Sequence, residues 1–304
     1  MTTQATTMVL ASFVADSLSL GAHWIYETDV IDQRIGRVEN LRSPLADSFH
    51  AGKKKGQFTH YGDQTLVLLE SISDKGMFSL PDFASSWQNL FTGYHGYVDK
   101  ASSTTLENMS RNVPLDQCGS TSSDLGGAAR IAPLVYRYQH DKKALLTAVQ
   151  EQTRLTHNNP ATLAGADFIA KTAWEVLQGR EPAEAMEQAL DEGIADFDLD
   201  NRIRGGLDSG GKDTRTVIKH FGQVCGIAAA LPGAIHLILT YSDDLKTALI
   251  ENVMAGGDSA ARGLVAGMVL GASLGEKAIP EQWLMDMEKT NAIKDLLMII
   301  DRTL

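Results

Sequence analysis

The sequence predicts an all-α fold. Three observations carry this. Apolar residues recur at three- and four-residue steps, helix-start and helix-stop residues bracket those stretches, and no run of alternating segments with Asn-Gly or Asp-Gly turns marks a sheet. At 304 residues, 43% of them hydrophobic, the chain can bury a sizeable core. No linker or internal repeat divides it, so residues 1–304 are expected to form a single compact multi-helix domain.

In chain order, the first helix is expected in "MTTQATTMVLASFVADSLSLGAHWIY", with Asp16 among apolar and small neighbours. His23 and Trp24 are expected two helical turns further along the same face. Residues 32–60 read as a loop. "HYGDQTLVLLESI" sets Gly62, Asp63, Gln64 and Thr65 before a helix expected near Leu66. Leu80, Phe83, Trp87, Leu90, Phe91 and Tyr94 then form a core-facing stripe. A second loop is expected at 110–125. Asp141 is placed as an N-cap ahead of Leu145, Ala148 and Val149, and Pro160 opens a helix that Gly179 closes. "EPAEAMEQALDEGI" continues the pattern, a third loop is expected at 196–215, and "QVCGIAAALPGAIHLILTY" and "SDDLKTALIENVMAGG" are helical. In "AGGDSAARG" two glycines permit a sharp turn, Asp258 and Ser259 can cap, and a helix follows near Ala260. "IPEQWLMDMEKTNAIKDLLMIIDRTL" supplies one or two closing helices. Small residues such as Gly263, Ala266, Gly267 and Gly271 predict helix axes that approach closely, since Gly inside a helix otherwise costs about 0.5–1 kcal/mol relative to Ala.

Composition narrows the function. A formal net charge of -11 argues against a general nucleic-acid binder, which needs clustered Lys and Arg. The basic run Lys53 to Lys55 is short and reads as a solvated loop. Cys118 and Cys225 lie far apart without C-x-x-C spacing, so neither a disulfide framework nor a zinc ribbon is signalled. No basic n-region precedes the N-terminal apolar patch, and no stretch approaches about 18 uninterrupted apolar residues. The expectation is a soluble cytoplasmic protein with no membrane or nucleic-acid partner.

Three acids stand out chemically. Asp258 heads an apolar helix, where a capping acid contributes about 1 kcal/mol. Asp63, Gln64 and Thr65 offer carboxylate, amide and hydroxyl oxygens at one helix mouth, donors that suit a hard cation such as Mg²⁺. Asp16 needs a partner, because an unpaired buried charge costs several kcal/mol. The polar loop "DSGGKDTR" lacks the spacing of a phosphate-binding P-loop and follows no strand, although its Lys and amides suit a diphosphate.

The order of these pieces resembles the ADP-ribosylglycohydrolase family. That family opens with a Gly-Asp-Ala-Leu-Gly run reaching a Glu. Thr-Asp-Asp-Thr, Gly-Asn-Gly with Met-Arg-x-x-Pro, Thr-His-x-x-Pro and Gly-Gly-Asp-Thr-Asp-Thr follow. Here the matching segments are "ADSLSLGAH" (15–23), "GDQT" (62–65), "DLGGAARIAPL" (124–134), "LTHNNPATLAGA" (155–166) and "GGDSAARGLVAGMVLGA" (256–272), spread along nearly the whole chain. The resemblance implies one all-α domain. It implies two Mg²⁺ ions in a cleft, and hydrolysis of an N- or O-glycosidic bond joining ADP-ribose to a protein side chain or small molecule.

This chain departs from that pattern at the metal positions. Gly62, Asp63 and Gln64 stand for Thr-Asp-Asp, Asp258 to Ala261 for Asp-Thr-Asp-Thr, His23 for the Glu, and Leu125 for the Asn. A two-ion cage cannot be assembled from these residues, and what remains at Asp63 and Asp258 fits one Mg²⁺ ion or none. The resemblance then implies a hydrolase with a reduced or absent metal centre. Asp16, His23 and Asp63 are its candidate acid–base residues, and Gln64, Ser259 and Arg262 its candidate contacts to an ADP-ribosyl ligand or ADP-ribosylated protein. Arg262 is expected in the lost cation's place, paired with Asp63 or Asp258. His157 is read as organising a helix start. The alternative is a catalytically inactive binding or structural relative on the same fold.

Overall fold

Local chemistry places most of the helix starts. A computed structural model describes residues 3–303. In it α1 spans Gln4–Ser19, α2 Thr28–Arg34, α3 His60–Lys75, α4 Leu80–Leu90, α5 Lys100–Ser110, α6 Gly126–Ala129, α7 Ala132–Arg137 and α8 Lys142–Thr156. Then come α9 Pro160–Leu177, α10 Pro182–Asp191, α11 Phe197–Leu207, α12 Thr214–Phe221, α13 Ile227–Thr240, α14 Leu245–Met254, α15 Ser259–Leu274, α16 Glu281–Asp286 and α17 Thr290–Asp301. Asp141 caps α8 through Ala144 N at 3.0 Å, and Asn159 caps α9 directly before Pro160. Among the described residues there is no strand, only two isolated bridges at Ser120–His157 and Asp124–Gly226. The fold is all-α and forms a single domain around one continuous core. None of the described helices is long and apolar enough to cross a membrane.

The centre of the molecule is the pair α1 and α15, both buried on nearly every side. Their glycines are there for contact. A Cβ on Gly267 would lie 2.6 Å from the Ala11 carbonyl oxygen, and one on Gly271 would lie 2.6 Å from Ala11 Cβ. With the backbones this close, Ser12 Oγ donates to the Leu264 carbonyl at 3.0 Å and Ser19 Oγ to the Ser259 carbonyl at 3.1 Å. The seam thus fixes the C-terminal end of α1 beside the N-terminal end of α15.

Three sequence expectations are corrected. Residues 196–215 are not a loop throughout: Asp196 caps α11, whose Leu199 and Ile203 are buried, and Gly206 lets it lie against Pro232 and Ile235 of α13. Helix α3 starts at His60 rather than near Leu66, because Thr59 accepts from Tyr61 N at 3.2 Å and caps it. Asp63 therefore sits inside the first turn. His23 is not on the face of α1 that carries Asp16; the helix ends at Ser19, and Trp24 turns the chain with φ +64°.

Candidate functional site

The starts of α3 and α15 face a common region built from the turn after α1 and the loop 35–59. At α15, Gly256 and Gly257 hold φ of +74° and +67°, a conformation glycine adopts without strain. Trp24 N donates to the Gly257 carbonyl (2.9 Å), Gly257 N to the Ile25 carbonyl (2.8 Å) and Asp258 N to the Gln223 carbonyl (2.9 Å). This lacing aims Asp258 inward. Its Oδ1 takes a long 3.4 Å hydrogen bond from Ala261 N and stands 3.6 Å from His23 Nε2, while Oδ2 accepts from Tyr61 Oη at 3.3 Å. Burial pushes Asp258 up to about 6, against the positive charge of Arg262.

Arg262 does not take a lost cation's place. It is fully buried, with Nε donating to Asn252 Oδ1 (3.1 Å) and one terminal nitrogen to the carbonyls of Asn252 (3.4 Å) and Gly256 (2.5 Å). Its guanidinium ties α14 to the glycine turn and forms no ion pair with Asp63 or Asp258. Ser259 is also sealed. Its carbonyl accepts from Ser19 and Asn252, and its hydroxyl is buried without a partner.

At α3 the cation beside the acid is Lys53. Asp63 Oδ2 accepts from Lys53 Nζ and from Tyr94 Oη, the latter at 2.5 Å. The side chains of Lys53 and Asp63 are each 16% exposed, so Lys53 is no solvated loop lysine. Burial raises the Asp63 carboxyl above its ordinary range, and Lys53 and Tyr94 pull it back. Lys53 and Tyr94 line an open recess of about 310 Å³. Asp16 lies deeper, fully buried, accepting from Thr59 N (2.8 Å) and Thr59 Oγ1 (2.5 Å). Gly62 leaves the space it needs, for a Cβ there would fall 2.3 Å from Asp16 Oδ2. Burial pushes Asp16 up to about 7, despite those two donors.

Gln64 belongs to another network. Its Oε1 accepts from Trp87 Nε1 (2.8 Å) and from Arg130 (2.7 Å), and Arg130 also donates to Gln152 and Thr156. Thr156 Oγ1 in turn meets His157 Nδ1 at 2.9 Å, so the buried Arg130 stitches α3 to α8. An Arg inside the apolar run "GGAARIAPL" was the available signal for this network.

Between the two acids lies a cluster that sequence reasoning missed except for His23. His50 from the loop and His60, the first residue of α3, join His23, and one ring nitrogen from each lies within 4.8 Å of the other two. All three are nearly inaccessible, at 2%, 1% and 1% exposure. Five of their six ring nitrogens have no hydrogen-bond partner; the sixth, His23 Nδ1, accepts from Ala260 N at 3.3 Å. Trp24 packs against all three rings at centroid distances of 4.5, 5.6 and 5.3 Å. Burial is the main reason each imidazole is held neutral, with His50 pushed down to about 3 and His60 to about 4. A recess of about 280 Å³, lined by His23, Trp24, Tyr26, Arg34 and Phe49 among others, opens above.

The paired Mg²⁺ ions implied by the resemblance do not fit these residues. Asp63 is taken by Lys53 and Tyr94, and Asp258 by Ala261, Tyr61 and His23. Among the described residues, the one converging set of three or more His, Cys, Asp or Glu donors is the imidazole trio. Mg²⁺ wants oxygen ligands in an octahedron.

Comparisons with known proteins agree with the architecture. A family model described as ADP-ribosylglycohydrolase matches residues 2–303. Crystallin J1A of Tripedalia cystophora is 24% identical, over 95% of this chain and 94% of its own length. The ADP-ribosyl-[dinitrogen reductase] glycohydrolase of Rhodospirillum rubrum is also 24% identical, over 79% of this chain and 78% of its own. A solved structure titled "ADP-ribosylglycohydrolase-related protein complex" superposes with a TM-score of 0.78 at 21% identity, covering 99% of this chain and 97% of that one.

Proposed function

The chain belongs to the ADP-ribosylglycohydrolase family, and from that premise we propose that it hydrolyses an N- or O-glycosidic bond to ADP-ribose without paired Mg²⁺ ions, Lys53 supplying positive charge beside Asp63. The observation that carries the reading is the Asp63–Lys53–Tyr94 group at the edge of an open recess. Asp63 is the only one of the three candidate carboxylates within reach of solvent. Partial burial raises its proton affinity toward the range a general base needs at neutral pH. In this reading Asp63 takes a proton from the water that attacks the anomeric carbon as the glycosidic bond breaks, and hands that proton to the departing nitrogen or oxygen. The Lys53 ammonium, held beside it, pairs with diphosphate oxygens and fixes the ADP-ribosyl group, while the Asp63 carboxylate meets the positive charge that builds at the anomeric carbon. Asp16 and His23, sealed from solvent, act as positioning residues: Asp16 through the Thr59 cap of α3 and His23 through the start of α15.

A second reading has its own observation. Asp16 and Asp258 are completely buried and bonded within the protein, which suits a relative that binds an ADP-ribosyl ligand without turning it over. Calorimetry with ADP-ribose, and turnover assays on ADP-ribosylated arginine, ADP-ribosylated serine and acetyl-ADP-ribose, each with Mg²⁺ or EDTA, separate the two. Hydrolysis that survives EDTA and falls on the order of 10²-fold in Asp63→Asn supports the enzyme. Binding with no turnover of any substrate supports the second reading, and turnover that requires Mg²⁺ overturns the first.

A further inference from the structure

We propose that His23, His50 and His60 form a binding site for a single borderline transition-metal ion of the Zn²⁺ or Co²⁺ class. The proposal is independent of the glycosidic reading. Buried polar groups in folded proteins nearly always have partners, because an unsatisfied donor or acceptor costs about 1–3 kcal/mol. Five unpartnered nitrogens on three adjacent, nearly inaccessible rings exceed what accidental packing leaves behind. One ion collecting a lone pair from each ring removes two of those deficits when His23 binds through Nδ1, and three when it binds through Nε2.

The donor type selects the metal. Imidazole suits Zn²⁺, Co²⁺, Ni²⁺ and Cu²⁺ and is a poor ligand for Mg²⁺. The spacing is also close to what is required. Zn–N bonds of about 2.0–2.1 Å put tetrahedral ligands ~3.3 Å apart, so nitrogens now within 4.8 Å must draw together by up to about 1.5 Å, the stacked rings turning toward a common point. Two carboxylates stand where the outer partners of metal-bound histidines commonly stand: Asp258 Oδ1 at 3.6 Å from His23 Nε2, and Asp99 Oδ2 at 3.7 Å from His60 Nε2. Asp99 is fixed in turn by Ser102, whose amide and hydroxyl donate to it at 2.7 and 2.8 Å. These acids have a further duty, since Lys53, Arg130 and Arg262 all act on the same imidazoles with positive charge. The ligands are unequal. His23 Nδ1 already accepts from Ala260 N and its Nε2 faces Asp258, so either nitrogen gives up a present contact to bind. His50 gives up none, and His60 gives up none when it binds through Nδ1 and keeps Nε2 toward Asp99.

The full chain, stripped with EDTA and desalted, is titrated with Co²⁺ and separately with Zn²⁺. The expected result is one equivalent of metal retained through desalting, with the visible absorption of tetrahedral Co²⁺. Zn²⁺ is expected to raise Tm, and a hundredfold excess of Mg²⁺ to leave both signals unchanged. His50→Phe and His60→Phe each lower affinity more than tenfold, Asp99→Asn lowers it severalfold, and His23→Phe costs less than either of the first two. The Tm shift of the unaltered protein keeps the test decisive where a variant fails to fold. No retained metal and no Tm shift overturn the proposal, leaving buried water as the partner of the trio. Equal retention by wild type and a folded His50→Phe/His60→Phe variant places the ion elsewhere and overturns it too.

Discussion

The two acid-bearing helix starts differ in what surrounds them. Asp258 is enclosed: it caps α15, receives Tyr61 and His23, and has no contact with solvent. Asp63 sits one residue beyond Gly62 in the first turn of α3, partly exposed and paired with a lysine from a loop. Asp258 is thus spent on structure, whereas Asp63, although engaged by Lys53 and Tyr94, stands within reach of solvent.

Stability measurements test this contrast most strongly. Asp258→Ala removes the cap and strands the buried Tyr61 hydroxyl, and is expected to cost about 3 kcal/mol in urea unfolding. Asp63→Ala breaks a pair only 16% exposed, but Lys53 lines an open recess and can turn to solvent, so the loss should be smaller, about 1–2 kcal/mol. Equal losses would abolish the distinction. A smaller effect reads the buried acid behind α3. The Asp16 carboxyl titrates near 7 in the fold against 3.8 in the unfolded chain, so between those values the native state holds a proton the unfolded state has lost. Stability must then fall as pH rises through that window, by up to about 1.4 kcal/mol per pH unit. Relative to Asp16→Asn, the wild type is expected to lose ground from pH 4 to pH 7 and then level off; a flat difference refutes the assignment. The smallest effect sharpens the chemical side. Lys53→Met should not restore Mg²⁺ binding in calorimetry, because Asp63 alone cannot make a cage.

The fold was legible wherever its determinants are local. Asp141, Pro160 and Asp258 announce helix starts through side chains that act within three residues, and the glycines of α15 announce a close neighbour. The true start of α3 was hidden because Thr59, its cap, is also claimed by Asp16 from a remote helix. Helix α11 was hidden by its Asp, Arg and Gly content, which reads as loop until Leu199, Ile203 and Gly206 are seen against α13. At the site, Asp63 and Asp258 could be found by motif order, whereas Lys53, His50 and His60 could not. They come from a loop and a helix end with no shared periodicity, and only the tertiary fold brings them together.

The seam between α1 and α15 has a consequence for how the molecule is made. Its hydrogen-bonded residues Ser12 and Leu264 are separated by 252 positions. During translation at ~5–20 residues per second, α1 leaves the ribosome tens of seconds before its partner exists. Through that interval a helix buried around nearly its whole circumference lacks its main neighbour, and α3 and α7 are there to cover only part of it. The face of α1 that the seam covers stays bare until α15 is made, and the Tyr61–Asp258 contact between the two acid-bearing helix starts forms only then.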